Sequence, residues 1–164
     1  MIRTGIGYDV HQLAEGETFI IGGVQIASTF GSVGHSDGDA LFHAVVDALL
    51  GAAGLGDIGQ FFPSEDDTWK GAPSSHFLAD AVKRVREAGF EINNVDAIII
   101  LQKPKLSELI SQMKNNLAYS MQVDESQVSV KATTTDSLGF VGDGSGWAVQ
   151  AIATICKNNN NCCS

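Results

Sequence analysis

Residues 35–57, HSDGDALFHAVVDALLGAAGLGD, constrain the fold more than any other stretch. Leu41, Ala44, Val45, Ala48, Leu49 and Ala52 recur at helical spacing. Ser36 or Asp37 can cap the helix, and Gly54 and Gly56 end it near Ala53. A helix this apolar has to be packed against something. Its polar residues therefore need a reason to be there. Asp39, His43 and Asp47 stand four apart and make one polar stripe. A solvated face is one reading. The other is a metal-ligating histidine whose second ring nitrogen is held by an acceptor, for which Asp47 is available.

The layer that covers this helix is a sheet. Ile2 to Tyr8 reads as a first strand. Thr18 to Ile21 and Val24 to Ile26 flank Gly22-Gly23, a two-residue hairpin signal. A loop from Asp57 to Ser74 carries Pro63 and Pro73, and its length suggests a functional or mobile segment. Ser74 or Ser75 opens a second helix through Ala88, with Gly89 as its stop. Val95 to Leu101 is a buried β-branched strand. Ser107 caps a third helix to about Met121, with Ile110, Met113 and Leu117 inward; Val128 to Ala132 and Trp147 to Cys156 complete the strands. Such interleaving predicts an α/β fold: an α+β sandwich with helices on one face of a mixed sheet and an N-terminal hairpin. Residues 1–157 read as a single domain, with no repeat or linker, and residues 158–164 as a frayed, Asn-rich tail.

Hydrophobic residues make up 44% of the 164, enough to exclude a disordered chain. The formal charge of -9 argues against nucleic acid and against an anionic membrane as partners. A phosphate-bearing ligand would need metals or backbone amides to supply local positive charge. No apolar run approaches the roughly 20 residues of a membrane span. Met1 to Gly5 enter a strand at once, without the layout of a secretory signal or transit segment, so a cytoplasmic or mature organellar protein is expected. Cys156, Cys162 and Cys163 are no disulfide framework, and Cys156 reads as a small buried hydrophobe.

Chemistry concentrates in a few places. Asp9 and His11 stand two apart on the first strand, so their side chains share a face, with Cα atoms about 6.5–7 Å apart. A capping Asp and a surface His would look the same. With His43 as a third donor the set becomes Asp-His-His with one open position, the pattern of a catalytic zinc site. One carboxylate and two neutral imidazoles would leave the ion with a net charge near +1, a suitable seat for a phosphate oxygen. Thr133, Thr134 and Thr135 followed by Asp136 can hold phosphate oxygens and a hydrated Mg²⁺, or can simply be a strand end with an Asx turn. Gln102, Lys103, Pro104 and Lys105 leave a buried strand, where extended backbone can read a base edge and Lys105 can meet a diphosphate; a solvated strand exit is the plainer reading. Gly142 to Gly146 match neither the Lys-containing phosphate loop nor the dinucleotide fingerprint, and read as a tight turn.

Taken together, GYDVHQL, GHSDGDALFHAVVDALLGAAGLGDIGQFFP, DAIIILQKPKL and KATTTDSLGF resemble the 2-C-methyl-D-erythritol 2,4-cyclodiphosphate synthase family, in order and spacing, from Ile2 to about Lys157. The resemblance implies a phosphorus-oxygen lyase of non-mevalonate isoprenoid (terpenoid) biosynthesis. It implies a homotrimer with sheets facing a central cavity and active sites between neighbouring subunits. Asp9, His11 and His43 would hold Zn²⁺, with Val10 beside them at the substrate. His35 and Ser36 would line the phosphate and erythritol pocket, with His35 and Thr134 stabilising the transition state. Asp57, Ile58, Gly59, Phe62, Pro63, Ser64, Glu65 and Asp66 would meet the methylerythritol. Leu101, Gln102, Lys103, Pro104, Lys105, Leu106 and Ser107, with Thr133, Thr134, Thr135 and Asp136 of the adjacent subunit, would hold the cytidine diphosphate. Asp136 would carry Mg²⁺ or Mn²⁺ between the phosphates, and Phe140 and Asp143 complete the implied set.

Three positions depart from the family pattern. Asp136 stands where Glu is usual, so the cation contact is one methylene shorter. Ser64 stands where Asp is common. Asp143 and Ser145 replace the Arg and Glu of many members near the mouth of the cavity, which argues against isoprenoid-phosphate binding there. The expected reaction is attack of the 2-phosphate of 4-diphosphocytidyl-2-C-methyl-D-erythritol 2-phosphate on the β-phosphorus, with loss of CMP. A zinc phosphohydrolase and a trimeric protein with structural zinc are the competing readings; for the latter, only His35 or Asp39 could close the fourth position. The strand face of Trp147, Val149 and Ala151 would be the exposed apolar surface that permits a trimer.

Overall fold

The computed structural model describes residues 1–34, 36–63 and 71–157. Its elements are β1 (Ile2–Glu15), β2 (Ile20–Ile21), β3 (Val24–Gln25), β4 (Phe30–Val33), α1 (Ala40–Ala53), α2 (Ile58–Phe61), α3 (Ser74–Glu87), β5 (Phe90–Ile100), α4 (Ile110–Met121), β6 (Val128–Thr133), α5 (Gly139–Gly142) and β7 (Gly146–Lys157). Five strands form one mixed sheet in the order β4-β1-β7-β5-β6, and β2-β3 is a separate hairpin. Among the described residues only β5 and β6 run parallel. Gly22 and Gly23 form the hairpin turn with φ of 59° and 70°, the left-handed backbone a two-residue turn of this kind requires.

One face of the sheet is the core floor. Trp147, Val149, Ala151, Ala153 and Ile155 of β7 and Val95, Ala97 and Ile99 of β5 are buried there with residues of α1, α3 and α4. Burying Leu41, Phe42, Leu49 and Leu50 of α1 contributes about 1.5–3 kcal/mol each. The expected exposure of Trp147, Val149 and Ala151 is therefore wrong. They lie under the helices, and the Trp147 indole donates to Ser32 Oγ at 2.9 Å. The exposed apolar residues stand on the opposite face by strand alternation: Ile6, Tyr8 and Val10 of β1 and Ile152 of β7.

The placement of α1 over β1 follows from two glycines. A Cβ at Gly5 would fall 2.1 Å from the Ala48 carbonyl oxygen, and one at Gly7 would fall 1.9 Å from that of Ala44. Helix backbone thus lies directly on strand backbone, with Ala44, Ala48 and Ala52 facing the glycines. Contact this close brings His43, next to Ala44, down to Asp9, two residues beyond Gly7.

Several boundaries differ from the sequence reading. The first strand continues to Glu15 and recruits β4, a partner with no signal of its own. The cap of α1 is Asp39, not Ser36 or Asp37; its carboxylate accepts from Leu41 N and Phe42 N. The third helix begins at Ile110, after a turn in which Ile110 N and Leu109 N both donate to Leu106 O, so Ser107 is not its cap. The stretch after Asp57 is not wholly loop, because Asp57 caps the single turn α2. Cys156 is buried, as expected. The proposed frayed tail and residues 64–70 lie outside the described residues.

Candidate metal centre and nucleotide cleft

β1 points Asp9 and His11 to the side covered by α1, and α1 supplies His43. Asp9 Oδ2 lies 3.0 Å from His11 Nε2 and 3.0 Å from His43 Nδ1. One ligand atom from each of the three residues falls within 4.8 Å of the other two, the spacing of donors around a single ion. The two rings lie 5.7 Å apart, centre to centre. All three side chains are partly shielded but within reach of solvent, with 27% exposure for Asp9 and 13–14% for the histidines. The other nitrogen of each ring is engaged. His11 Nδ1 donates to Val33 O at 3.1 Å, and His43 Nε2 lies 2.8 Å from Ser74 Oγ and 3.2 Å from Ser36 Oγ. Outer partners of this kind orient metal-bound histidines. A carboxylate oxygen and two imidazole nitrogens suit Zn²⁺.

Electrostatics agree with a cation site. Burial would raise the Asp9 carboxyl, but hydrogen bonds from His11 and His43 outweigh it and hold the group well below the usual carboxylate range. Burial would lower His11, yet its hydrogen bond to Asp9 and the charge of that carboxylate raise it above the ordinary value.

The polar stripe on α1 divides its labour differently from the sequence reading. Asp39 is fully buried and accepts from Gly22 N at 2.9 Å and Gly23 N at 2.7 Å besides capping the helix. Both its oxygens are committed to backbone, so it is not a fourth metal ligand. Asp47 does not hold His43; it accepts from Ile58 N at 2.8 Å. It thereby ties the Asp57, Ile58 and Gly59 segment to α1 one turn from His43. Burial pushes the Asp47 carboxyl up. Phe62 packs tilted against Phe77 with ring centres 4.6 Å apart, and Phe77 against His43 at 5.9 Å, so aromatic contacts join the α2 segment to the centre. Ser36 reaches the same histidine. Gly34 leaves room for the His11 ring, since a Cβ there would lie 3.2 Å from Cε1.

The second cluster assembles at the carboxyl ends of the parallel pair β5 and β6. Leu101, Gln102, Pro104, Lys105, Leu106 and Ser107 line a hollow of about 420 Å³ together with Thr133 and Thr134. Crevices at such strand ends are common ligand sites in open sheets. Thr135 and Asp136 follow in an exposed turn where Asp136 has φ 51°, and Thr134 Oγ1 donates to Asp136 Oδ1 at 3.4 Å. Lys103 faces a neighbouring hollow of about 580 Å³, shared with Asp143. Phe140 is partly exposed, and its ring packs on Gly146. Val10 is exposed on the outer face of β1. His35, Ser64, Glu65 and Asp66 lie outside the described residues; Pro63 is the last residue before that second gap.

Sequence reasoning missed Val33 O, Ser74, Asp37 and Phe77. Ser74 carried a signal only as a helix start, and Val33 acts through its backbone.

Comparison with known proteins gives the lineage. The YgbB family model matches residues 2–156. A 2-C-methyl-D-erythritol 2,4-cyclodiphosphate synthase of Carboxydothermus hydrogenoformans is 51% identical over 155 residues, 94% of this chain and 95% of that protein. One from Alkaliphilus oremlandii is 52% identical over 95% of this chain and 99% of its own length. Among solved structures, the bifunctional IspDF of Campylobacter jejuni matches with TM-score 0.93 and 44% identity, over 97% of this chain and 43% of the longer one. The CDP complex of Plasmodium falciparum IspF matches with TM-score 0.85 and 35% identity, over 96% and 97% of the two chains. With its donor triad and strand-end cleft set on the same fold, and with identity above one half to full-length relatives, the chain belongs to the YgbB family, that of the 2-C-methyl-D-erythritol 2,4-cyclodiphosphate synthases.

Proposed function

We propose that the protein is a 2-C-methyl-D-erythritol 2,4-cyclodiphosphate synthase of isoprenoid precursor biosynthesis, a lyase that closes the ring by intramolecular phosphoryl transfer. The convergence of Asp9, His11 and His43 on one point, in a chain of this family, carries the reading. In 4-diphosphocytidyl-2-C-methyl-D-erythritol 2-phosphate, a 2-phosphate oxygen forms the new bond to the β-phosphorus. The bond from that phosphorus to the bridging oxygen breaks, and CMP leaves with the electron pair. The nucleophile is part of the substrate, so the chain's task is to fold a polyanion until two phosphates meet. A divalent ion held by the triad, Zn²⁺ by its donor set, would supply positive charge to the phosphate oxygens. His35 and Ser36 line the phosphate pocket, with His35 and Thr134 stabilising the transition state; Ser36 Oγ lies 3.2 Å from His43 Nε2. Asp57, Ile58, Gly59, Phe62 and Pro63, with Ser64, Glu65 and Asp66, enclose the methylerythritol. Residues 101–107 and 133–136 take the cytidine diphosphate, where Asp136 would hold Mg²⁺ or Mn²⁺ to neutralise the phosphates. Holding the reacting groups in near-attack geometry is worth about 7–11 kcal/mol in favourable cases.

The active enzyme is a homotrimer in this reading. Two of the three donors, Asp9 and His11, are on β1 and the cleft is at the ends of β5 and β6, with β7 between, so in one chain they stand about 10–15 Å apart at strand spacing. A neighbouring copy can bring its cleft to the triad. The exposed apolar face of Ile6, Tyr8, Val10 and Ile152 supports such an assembly.

Incubation with the substrate and chromatographic detection of products tests the reading. CMP and the cyclic diphosphate are expected, with turnover nearly abolished in His11→Ala. Release of inorganic phosphate instead would establish a phosphohydrolase.

A further inference from the structure

We propose that Ser74, held by Asp37, decides which nitrogen of His43 is presented to the metal centre; the inference rests on the metal-centre reading above and deepens it. Ser74 is fully buried at the start of α3 and does not act as that helix's cap: the N-cap is Pro73, without a side-chain bond. Both its polar groups go to one carboxylate. Its N–H donates to Asp37 Oδ2 at 2.8 Å and its hydroxyl donates to Asp37 Oδ1. Asp37 also accepts from Asp39 N at 3.2 Å, so all its partners are donors.

A serine hydroxyl has one proton, and here it is committed to Asp37. Ser74 Oγ can then meet His43 Nε2, 2.8 Å away, only as an acceptor. Nε2 must carry the N–H. An imidazole bound to an ion is neutral with a single N–H, so with an ion at the triad Nδ1 offers it a lone pair in place of the hydrogen bond to Asp9. Nδ1 is the atom 3.0 Å from Asp9 Oδ2. The chain Asp37–Ser74–His43 thus presents a lone pair rather than a proton to an ion at the triad, as Val33 O does for His11 through Nδ1. Ser36 Oγ is a second, longer acceptor at 3.2 Å, and it also receives Gly38 N at 3.4 Å. Ser74 is a positioning residue, acting through His43.

The test compares zinc dissociation constants, by chelator competition, for wild type, Ser74→Ala, Ser36→Ala and Ser74→Thr. Proton–nitrogen NMR of the zinc-loaded His43 ring and urea unfolding of the metal-free proteins accompany them. Ser74→Ala is expected to weaken zinc binding about 10- to 100-fold and to abolish a solvent-protected Nε2–H resonance present in wild type. Ser36→Ala should weaken it by less than the Ser74 change, and Ser74→Thr, which keeps a hydroxyl, should recover most of the loss. A lower urea midpoint in Ser74→Ala with unchanged zinc affinity and an unchanged resonance would assign a merely structural role and overturn the proposal. So would equal losses from the two serines. If Ser74→Ala does not fold, the wild-type spectrum decides alone, and ligation of zinc through His43 Nε2 overturns it. Failure of wild type to bind zinc would instead refute the metal centre itself.

Discussion

Asp9 and His11 were legible as a pair because a strand puts residues two apart on one side. His43 was legible because a histidine on a packed apolar helix needs a partner. What holds the two rings was not legible: Val33 O comes from a strand with no signal of its own, and Ser74 from a helix start 31 residues from His43. Asp39 shows the same limit, since its spacing puts it in one polar stripe with His43 and its surroundings make it a brace for the Gly22-Gly23 turn. Burial pushes its carboxyl up to about 6, against the Gly23 and Gly22 N–H groups that favour the charge. Between pH 4 and pH 6 the folded chain therefore keeps a proton that the unfolded chain has lost, and this group's contribution to stability falls as pH rises, by about 3 kcal/mol over the window. The urea stability of wild type relative to Asp39→Asn, which cannot titrate there, should decline from pH 4 to pH 6.5. A difference independent of pH would contradict the raised value.

The element that makes the centre is α1 lying on the glycines of β1. Helix spacing announced α1 and alternation announced β1, but their backbone-to-backbone contact depends on Gly5 and Gly7 meeting Ala48 and Ala44, which no local pattern reveals. Gly7→Ala would force a methyl into the Ala44 carbonyl and lift the helix that carries His43. A loss of about 1–3 kcal/mol or more in urea unfolding is expected, together with weaker zinc binding in the folded protein. Gly51 is exposed on the same helix, and a methyl added there would meet nothing within 4 Å. Gly51→Ala should raise stability by about 0.5–1 kcal/mol through helix propensity and leave zinc binding unchanged. Equal effects of the two substitutions on zinc would remove the argument that helix approach positions the site.

Across the whole molecule, the class of fold followed from the interleaving of strand and helix patterns. The face of the sheet left bare did not. Trp147, Val149 and Ala151 looked available until three helices were laid over them, and Ile6, Tyr8, Val10 and Ile152 were left outside. Among the described residues no helix is long and apolar enough to cross a membrane; the proposed trimer would cover that face. Light scattering should give three chains per particle for wild type. Tyr8→Glu combined with Ile152→Lys should give monomers that still bind zinc but have lost turnover; monomers with full turnover would contradict a site shared between copies. The central claim is that Asp9, His11 and His43 hold one ion between them. Anomalous diffraction at the zinc edge from reconstituted crystals measures it most directly. A single peak per chain within about 2.0–2.2 Å of a carboxylate oxygen of Asp9, Nε2 of His11 and Nδ1 of His43 is predicted; a peak elsewhere, or none at the triad, would contradict it.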